Sequence, residues 1–214
     1  MTIQDAHLQF SSLSPLSPNA IDTIVVHHAA MDGSVQDIHR VHKQMGWSGI
    51  GYHLYIRKDG SIWQGRPLNT LGAHVKGHNS HTIGISLEGN YENEMPTPTI
   101  LSSLSFAIQY VRQSIGKNLP VKGHRDLMAT ACPGRNITAA ILQKASKGEY
   151  METKIPDKET STIPPIKSTN DILWELSHQG VITNINLWKT KMENDLDIYW
   201  LCRKVANKMR GTPE

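Results

Sequence analysis

The chain has 214 residues, of which 38% are hydrophobic and 19% charged, with a formal net charge of +3. That allows one ordinary domain plus something small, of soluble globular composition, and the charge is too low to argue for a nucleic-acid partner. No apolar run approaches the roughly 20 residues that span a bilayer, which excludes membrane insertion. The opening MTIQDAHLQFSSLSPLSP lacks the basic start and apolar core of a secretory signal, so synthesis in the cytoplasm is expected.

Residues 22–28, DTIVVHH, read as a buried strand of β-branched residues that ends in two histidines. Ser34 is placed to cap a helix running to about Met45, with Val35, Ile38, Val41 and Met45 at helical spacing and Gly46 as its stop. In YHLYIRKDGSIWQG the Asp59-Gly60 pair between alternating runs predicts a hairpin whose two central residues have positive φ. HTIGISLEG, 81–89, predicts another strand. Thr97-Pro98 opens a second helix, to about Ile115, with proline at the first helical position. LPVKGHR, 119–125, predicts a short strand that delivers His124, and Asn136 could cap a third helix to about Lys147.

Residues 148–168 lack periodicity and are rich in Pro, Thr, Lys and Glu, as in a linker. Beyond them, 169–214 read as three short helices with one tryptophan each, Trp174, Trp188 and Trp200. The expected fold class is therefore α/β. A central mixed β-sheet flanked by helices occupies 1–147, and a small C-terminal three-helix domain follows the linker. Lys and Arg exceed Asp and Glu by 13 to 9 in residues 1–148 and fall short by 9 to 10 in 149–214. A mildly basic first domain tolerates an anionic polymer as partner.

The chemistry gathers where strands end. The first strand ends at His27-His28, the last at His124, and the turn after it, in GHRDLMATACPG, holds Cys132. Two cysteines, Cys132 and Cys202, make no disulfide framework, while eleven histidines keep a metal in view. Imidazole and thiolate suit zinc, and three protein ligands with a fourth open position make a catalytic site. A cysteine nucleophile with a histidine base, or purely structural residues, fit the same spacing.

Four stretches together carry a resemblance: TIVVHHAA, GWSGIGYHLYIRKDGSIWQGRP, LGAHVKGHNSHTIGISLEGNY and GHRDLMATACPG. In order and spacing, over about residues 20–140, they resemble the zinc-dependent N-acetylmuramoyl-L-alanine amidases of type 2. That superfamily includes phage lysozyme-like amidases and animal peptidoglycan recognition proteins. The resemblance implies one Zn2+ per chain held by His27, His124 and Cys132, with His28 outside the metal shell. It implies that a zinc-activated water cleaves the amide between the lactyl group of N-acetylmuramic acid and L-alanine of the stem peptide. Tyr52 matches the tyrosine placed beside the metal. Thr130 falls where phage-type members have lysine and catalytic recognition proteins have threonine. A separate branch uses a glutamate base where this chain has Ser86, and aspartate where it has Cys132, which puts this chain in the tyrosine branch. The implied partner is bacterial peptidoglycan. The implied setting is an endolysin, made without a signal peptide and acting on the wall after release. A non-catalytic peptidoglycan-recognition module is the alternative.

His74 and Asn79 match positions that often line the substrate groove, although His74 could instead orient a ligand and Asn79 could be ordinary turn chemistry. Trp47 and Trp63 could stack on a sugar but read first as core. His39 and His42 read as a solvated helix face, His53 as packing, and His78, His81 and His178 as surface. Asp126 could accept from a ligand histidine or from Arg125. Cys202 reads as a buried thiol. The C-terminal helices could bind the wall or form a homodimer.

Overall fold

The computed structural model describes residues 1–151 together with Leu173, Leu176, Trp188 and Cys202. The chain divides into two compact units, Met1–Ile155 and Pro156–Glu214. In the second, the four described positions are helical, and Leu173, Leu176 and Cys202 are buried. The expected linker, His178, Trp174, Trp200, and the wall-binding or dimerising role of the tail fall outside the described residues, apart from 148–151.

In the first unit six strands form one mixed sheet: β1 (Ile3–Asp5), β2 (Thr23–His28), β3 (Leu54–Ile56), β4 (Ile62–Gln64), β5 (Thr82–Leu87) and β6 (Val121–Gly123). Their spatial order is β1-β4-β3-β5-β2-β6. Only β3 and β4 pair antiparallel; β5 with β3, β2 with β5, and β6 with β2 are parallel. Three helices accompany them: α1 (Val35–Gln44), α2 (Pro98–Ile115) and α3 (Ala139–Lys147).

Strand alternation sorts the sheet into two faces. Ile24, Val26, Leu54, Ile56, Ile83 and Ile85 face a core shared with Leu104, Ile108 and Val111 of α2 and with Leu142 of α3. Tyr55 faces the other way, into a second cluster with Val35 and Ile38 of α1 and with Ile50. Ile24, Val26, Ile83 and Ile85 are fully buried, each worth roughly 1.5–3 kcal/mol. A one-residue slip of β2 would turn Ile24 and Val26 away from this core and His27 into it. The register is therefore held, and with it the face that His27 occupies.

The helix signals are realised at their N-termini. Ser34 caps α1 in a capping box with Asp37. Thr97 caps α2 with Pro98 in the first turn, and Gly116 ends it in the left-handed region. The cap of α3 is Thr138 rather than Asn136; the Asn136 amide donates instead to the Glu94 carbonyl at 2.9 Å. The hairpin differs in kind from the expected two-residue turn. Arg57 N–H donates to the Ser61 carbonyl at 2.9 Å, closing a three-residue loop. Only Gly60, at φ +84°, has positive φ there; Asp59 accepts from Ser61 N–H and needs none.

Three buried histidines in this unit accept backbone amides on Nδ1: Ile50 donates to His39, Gly51 to His42 and Gly84 to His53. Each ring must be neutral there, because a protonated Nδ1 has no lone pair. Burial, then the nearby Arg66 guanidinium and His39, hold His42 down to about 4. Burial likewise holds His53 at about 4; its bond to the Thr70 carbonyl opposes this and Arg66 adds to it. An unfolded imidazole binds a proton near pH 6.5, so the unfolded state takes up protons first as pH falls. Stability is therefore full above about pH 6.5 and drains toward pH 4, with about 3 kcal/mol of it from fully buried His53 alone. Urea melts at pH 7.5, 6, 5 and 4 should show this loss, and a flat profile would refute it.

Candidate metal centre

The site lies beyond the carboxyl ends of the adjacent parallel strands β2 and β6, the edge where open α/β sheets bind ligands. His27 is the fifth residue of β2, on the face opposite Ile24 and Val26. Its neighbour His28 points to the other face, where its Nδ1 accepts Tyr91 N–H at 3.1 Å. Alternation alone thus separates the two histidines, and His28 lies outside the cluster.

His124 opens a single 3-10 turn, His124–Asp126, directly after β6. Asp126 serves neither expected partner. Its carboxylate accepts Gly123 N–H at 2.8 Å and so caps that turn. The return of the chain is fixed by Arg125 N–H, which donates to the Cys132 carbonyl at 2.9 Å, and by the Arg125 guanidinium on the Gly134 carbonyl. Thr130 is exposed, and its Oγ1 accepts Cys132 N–H at 3.2 Å. It therefore braces the turn that carries the cysteine.

Among the described residues, His27, His124 and Cys132 form a group whose ligand atoms all lie within 4.8 Å of one another. Cys132 Sγ is 3.6 Å from His27 Nδ1. Donors placed ~2.0–2.3 Å from a common tetrahedral centre lie roughly 3.3–3.8 Å apart, so this pair is already at zinc spacing. Buried His124 Nε2 has no hydrogen-bond partner. An orphaned buried nitrogen is costly unless something fills its lone pair, and a cation between these donors would do so. The residues present fit a zinc ion.

The nitrogen that His27 offers is set from behind. His27 Nε2 lies 3.0 Å from His74 Nδ1, and His74 Nε2 lies 3.5 Å from Thr82 Oγ1. Thr82 spends its one hydroxyl proton on the His78 carbonyl at 2.7 Å. The proton order follows. Thr82 can only accept from His74 Nε2–H, so His74 Nδ1 accepts from His27 Nε2–H, and the lone pair of His27 is left on Nδ1, toward Cys132. Burial, then the neighbouring imidazoles, hold both rings well below the usual histidine range.

His74 is 8% exposed. His74 is thus enclosed and bonded to His27 rather than open to solvent. Asn79 serves the same loop: its Oδ1 accepts His74 N–H at 2.9 Å and Val75 N–H at 3.0 Å. Tyr52 lies with its ring centroid 5.2 Å from that of His27. Ser86, opposite His27 in the β2–β5 register, is buried with its hydroxyl beside that of Tyr52.

Burial pushes the Cys132 thiol up to about 11, against the opposing pull of a His28 backbone hydrogen bond and of Arg125. A free nucleophilic cysteine needs the reverse shift, whereas a cation beside the sulfur removes the proton outright. Sequence patterning misplaced three side chains near the site. His39 and His42 are buried rather than solvated, and Trp47 is 41% exposed rather than core. Their helical spacing says which face they share but not that the loop after α1 folds back over it. Trp63 is half-buried and packs on the α1 cluster. His78 and His81 are half-buried and pair with each other at 3.3 Å.

Comparison with known proteins gives this site a context. The profile of the N-acetylmuramoyl-L-alanine amidase family matches residues 17–135. An endolysin of Enterobacteria phage K11 is 37% identical over 111 residues, 49% of this chain and 72% of its own length. Peptidoglycan-recognition protein SC2 of Drosophila melanogaster is 35% identical over 133 residues, 56% of this chain and 71% of its own. Among solved structures, the N-acetylmuramoyl-L-alanine amidase LysC from Clostridium intestinale superposes with a TM-score of 0.58 at 40% identity, covering 64% of this chain and 91% of LysC. The chain belongs to the N-acetylmuramoyl-L-alanine amidase family, in the type 2 superfamily that joins phage endolysins to peptidoglycan recognition proteins.

Proposed function

We propose that the chain is a zinc-dependent peptidoglycan amidase of endolysin type, with His27 Nδ1, His124 Nε2 and Cys132 Sγ as the metal ligands. The observation that carries this reading is the donor cluster itself: a sulfur at zinc spacing from one imidazole and an orphaned buried nitrogen on the other. A zinc ion there would supply a Lewis acid for the scissile carbonyl and lower the pKa of water toward ~7.

The remaining roles fall to the chain's own groups. Tyr52 donates its hydroxyl proton as a hydrogen bond to the oxyanion that develops on the amide carbonyl. His74 holds His27 in the tautomer that turns Nδ1 toward the site, with Asn79 fixing the His74 backbone. Thr130 fixes the backbone at Cys132. The bond cut joins the lactyl group of N-acetylmuramic acid to L-alanine, and the biological outcome is lysis of the host wall once the enzyme is released to it.

His74→Leu keeps the volume and removes the relay. It should weaken zinc affinity by about 10- to 100-fold, read by competition with a chromogenic chelator; unchanged affinity would remove His74 from this role. The whole reading is tested by zinc content and product analysis on purified peptidoglycan. Bound zinc, new L-alanine amino termini and no new reducing sugar ends are expected. Bound zinc without cleavage would favour peptidoglycan recognition instead. Cleavage by metal-free protein would refute the ligand assignment.

A further inference from the structure

Residues 48–51, Ser-Gly-Ile-Gly, connect α1 to the strand that follows Tyr52 and belong to no helix or strand. A stretch with two glycines is entropically expensive to hold, and its buried amides need partners. They find them on side chains rather than on a sheet. Ile50 N–H donates to His39 Nδ1 at 3.2 Å, and Gly51 N–H donates to His42 Nδ1 at 3.0 Å.

A backbone amide can only donate, so both imidazoles carry their proton on Nε2. His39 uses it on the Gln9 carbonyl at 3.1 Å. From the other side Arg66 Nε donates to the Ile50 carbonyl at 2.8 Å, and its terminal nitrogens reach Ser48 Oγ and the Leu71 carbonyl. The Gly51 carbonyl accepts Ala73 N–H at 3.0 Å, which ties the same loop to the segment carrying His74.

What these bonds hold is the residue next in line. Tyr52 follows Gly51 directly, and the His42 ring also touches it, centroid to centroid 5.5 Å. The Tyr52 ring also meets that of His27, centroid to centroid 5.2 Å. A Cβ on Gly51 would sit 2.2 Å from the Ala73 carbonyl, so the backbone here has no room to wander and no side chain of its own to anchor it.

We infer that His42 is a positioning residue for Tyr52: through its Nδ1 acceptor, supported by His39 and Arg66, helix α1 sets the Gly51 peptide and so the place of the phenol beside the ligand histidine. This rests on the reading of Tyr52 as the oxyanion donor. Misplacing a reacting group by about an ångström costs up to ~10²-fold in rate, so the backbone bond matters to turnover although His42 reaches no substrate.

The test contrasts His42→Asn with His42→Gln. Asparagine puts its carbonyl where Nδ1 was; glutamine puts its amide where Nε2 was. His42→Asn should keep turnover on a soluble muropeptide within about threefold, and His42→Gln should lose ~10- to 100-fold in kcat with KM and zinc content unchanged. In a Tyr52→Phe background the His42→Gln loss should vanish, because the group being positioned is gone. Wild-type kcat in His42→Gln, or an equal loss in both backgrounds, would overturn the inference.

Wild-type turnover in Tyr52→Phe alone would instead overturn the reading of Tyr52. If neither His42 variant folds, Arg66→Lys supplies the kinetic test, with a loss of about tenfold expected that again disappears in Tyr52→Phe. A scalar coupling between Gly51 N and His42 Nδ1 across the hydrogen bond, in 15N-labelled protein, checks the contact without any substitution. Its absence would overturn the inference too.

Discussion

Cys132→Ser is expected to leave the protein folded, free of zinc and without amidase activity. The thiolate is the anionic donor of the cluster; with it replaced by a hydroxyl that does not ionise near neutral pH, two neutral imidazoles remain. The Lewis acid contributes several kcal/mol to transition-state stabilisation, and each ~1.4 kcal/mol is tenfold, so turnover should fall by ~10³-fold or more. The fold should be nearly indifferent. Cys132 is only half-buried, serine is close in size, and the turn keeps the Arg125–Cys132 backbone bond. Metal analysis after dialysis, release of L-alanine amino termini and a thermal melt would be read together. Full cleavage by a metal-free serine variant would sink the zinc reading, and an unfolded variant would show that the cysteine is needed for the fold itself.

Tyr52→Phe should separate chemistry from metal binding. Removing one oxyanion donor costs ~10²–10³-fold in kcat, while zinc content and KM should stay near wild type because the phenol ligates nothing. Burial, then the nearby Cys132, pushes the Tyr52 hydroxyl well above its ordinary range. It therefore remains a protonated donor at every pH at which the enzyme would be assayed, and the deficit should be flat from pH 6 to 9. The phenyl ring can still pack against His27, so stability should change little. Wild-type turnover would remove Tyr52 from the mechanism; a deficit that grows or shrinks across that range would mean that the hydroxyl titrates after all.

Much of the frame was legible because its signals are local. Thr97-Pro98 states its own helix start, and a β-branched run ending in His-His states a buried strand whose alternation decides which histidine faces the cluster. Strand β1 carried no such signal. Ile3, Gln4 and Asp5 make a three-residue edge that pairs only because β4 offers its backbone. The candidate ligands could be named only through a resemblance that spans distant stretches. What holds them was not legible. Nothing in HRVHKQ says that its two histidines will be roofed by the loop that follows, or that Arg66 will close that loop from below. The orientation of His74 depends on Thr82, eight residues away on another element, giving up its proton to a carbonyl. These are long-range hydrogen-bond decisions, and periodicity carries no information about them.

The candidate ligand atoms come from residues 27, 124 and 132, and the pairing of β6 with β2 brings the first to the other two. In a nascent or opened chain the first donor is separated from the other two by most of the domain. An ion held by these three residues would act as a clasp across the seam between β2 and β6. By mass action, free zinc at a hundred times its dissociation constant would add about 2.7 kcal/mol against reopening that seam.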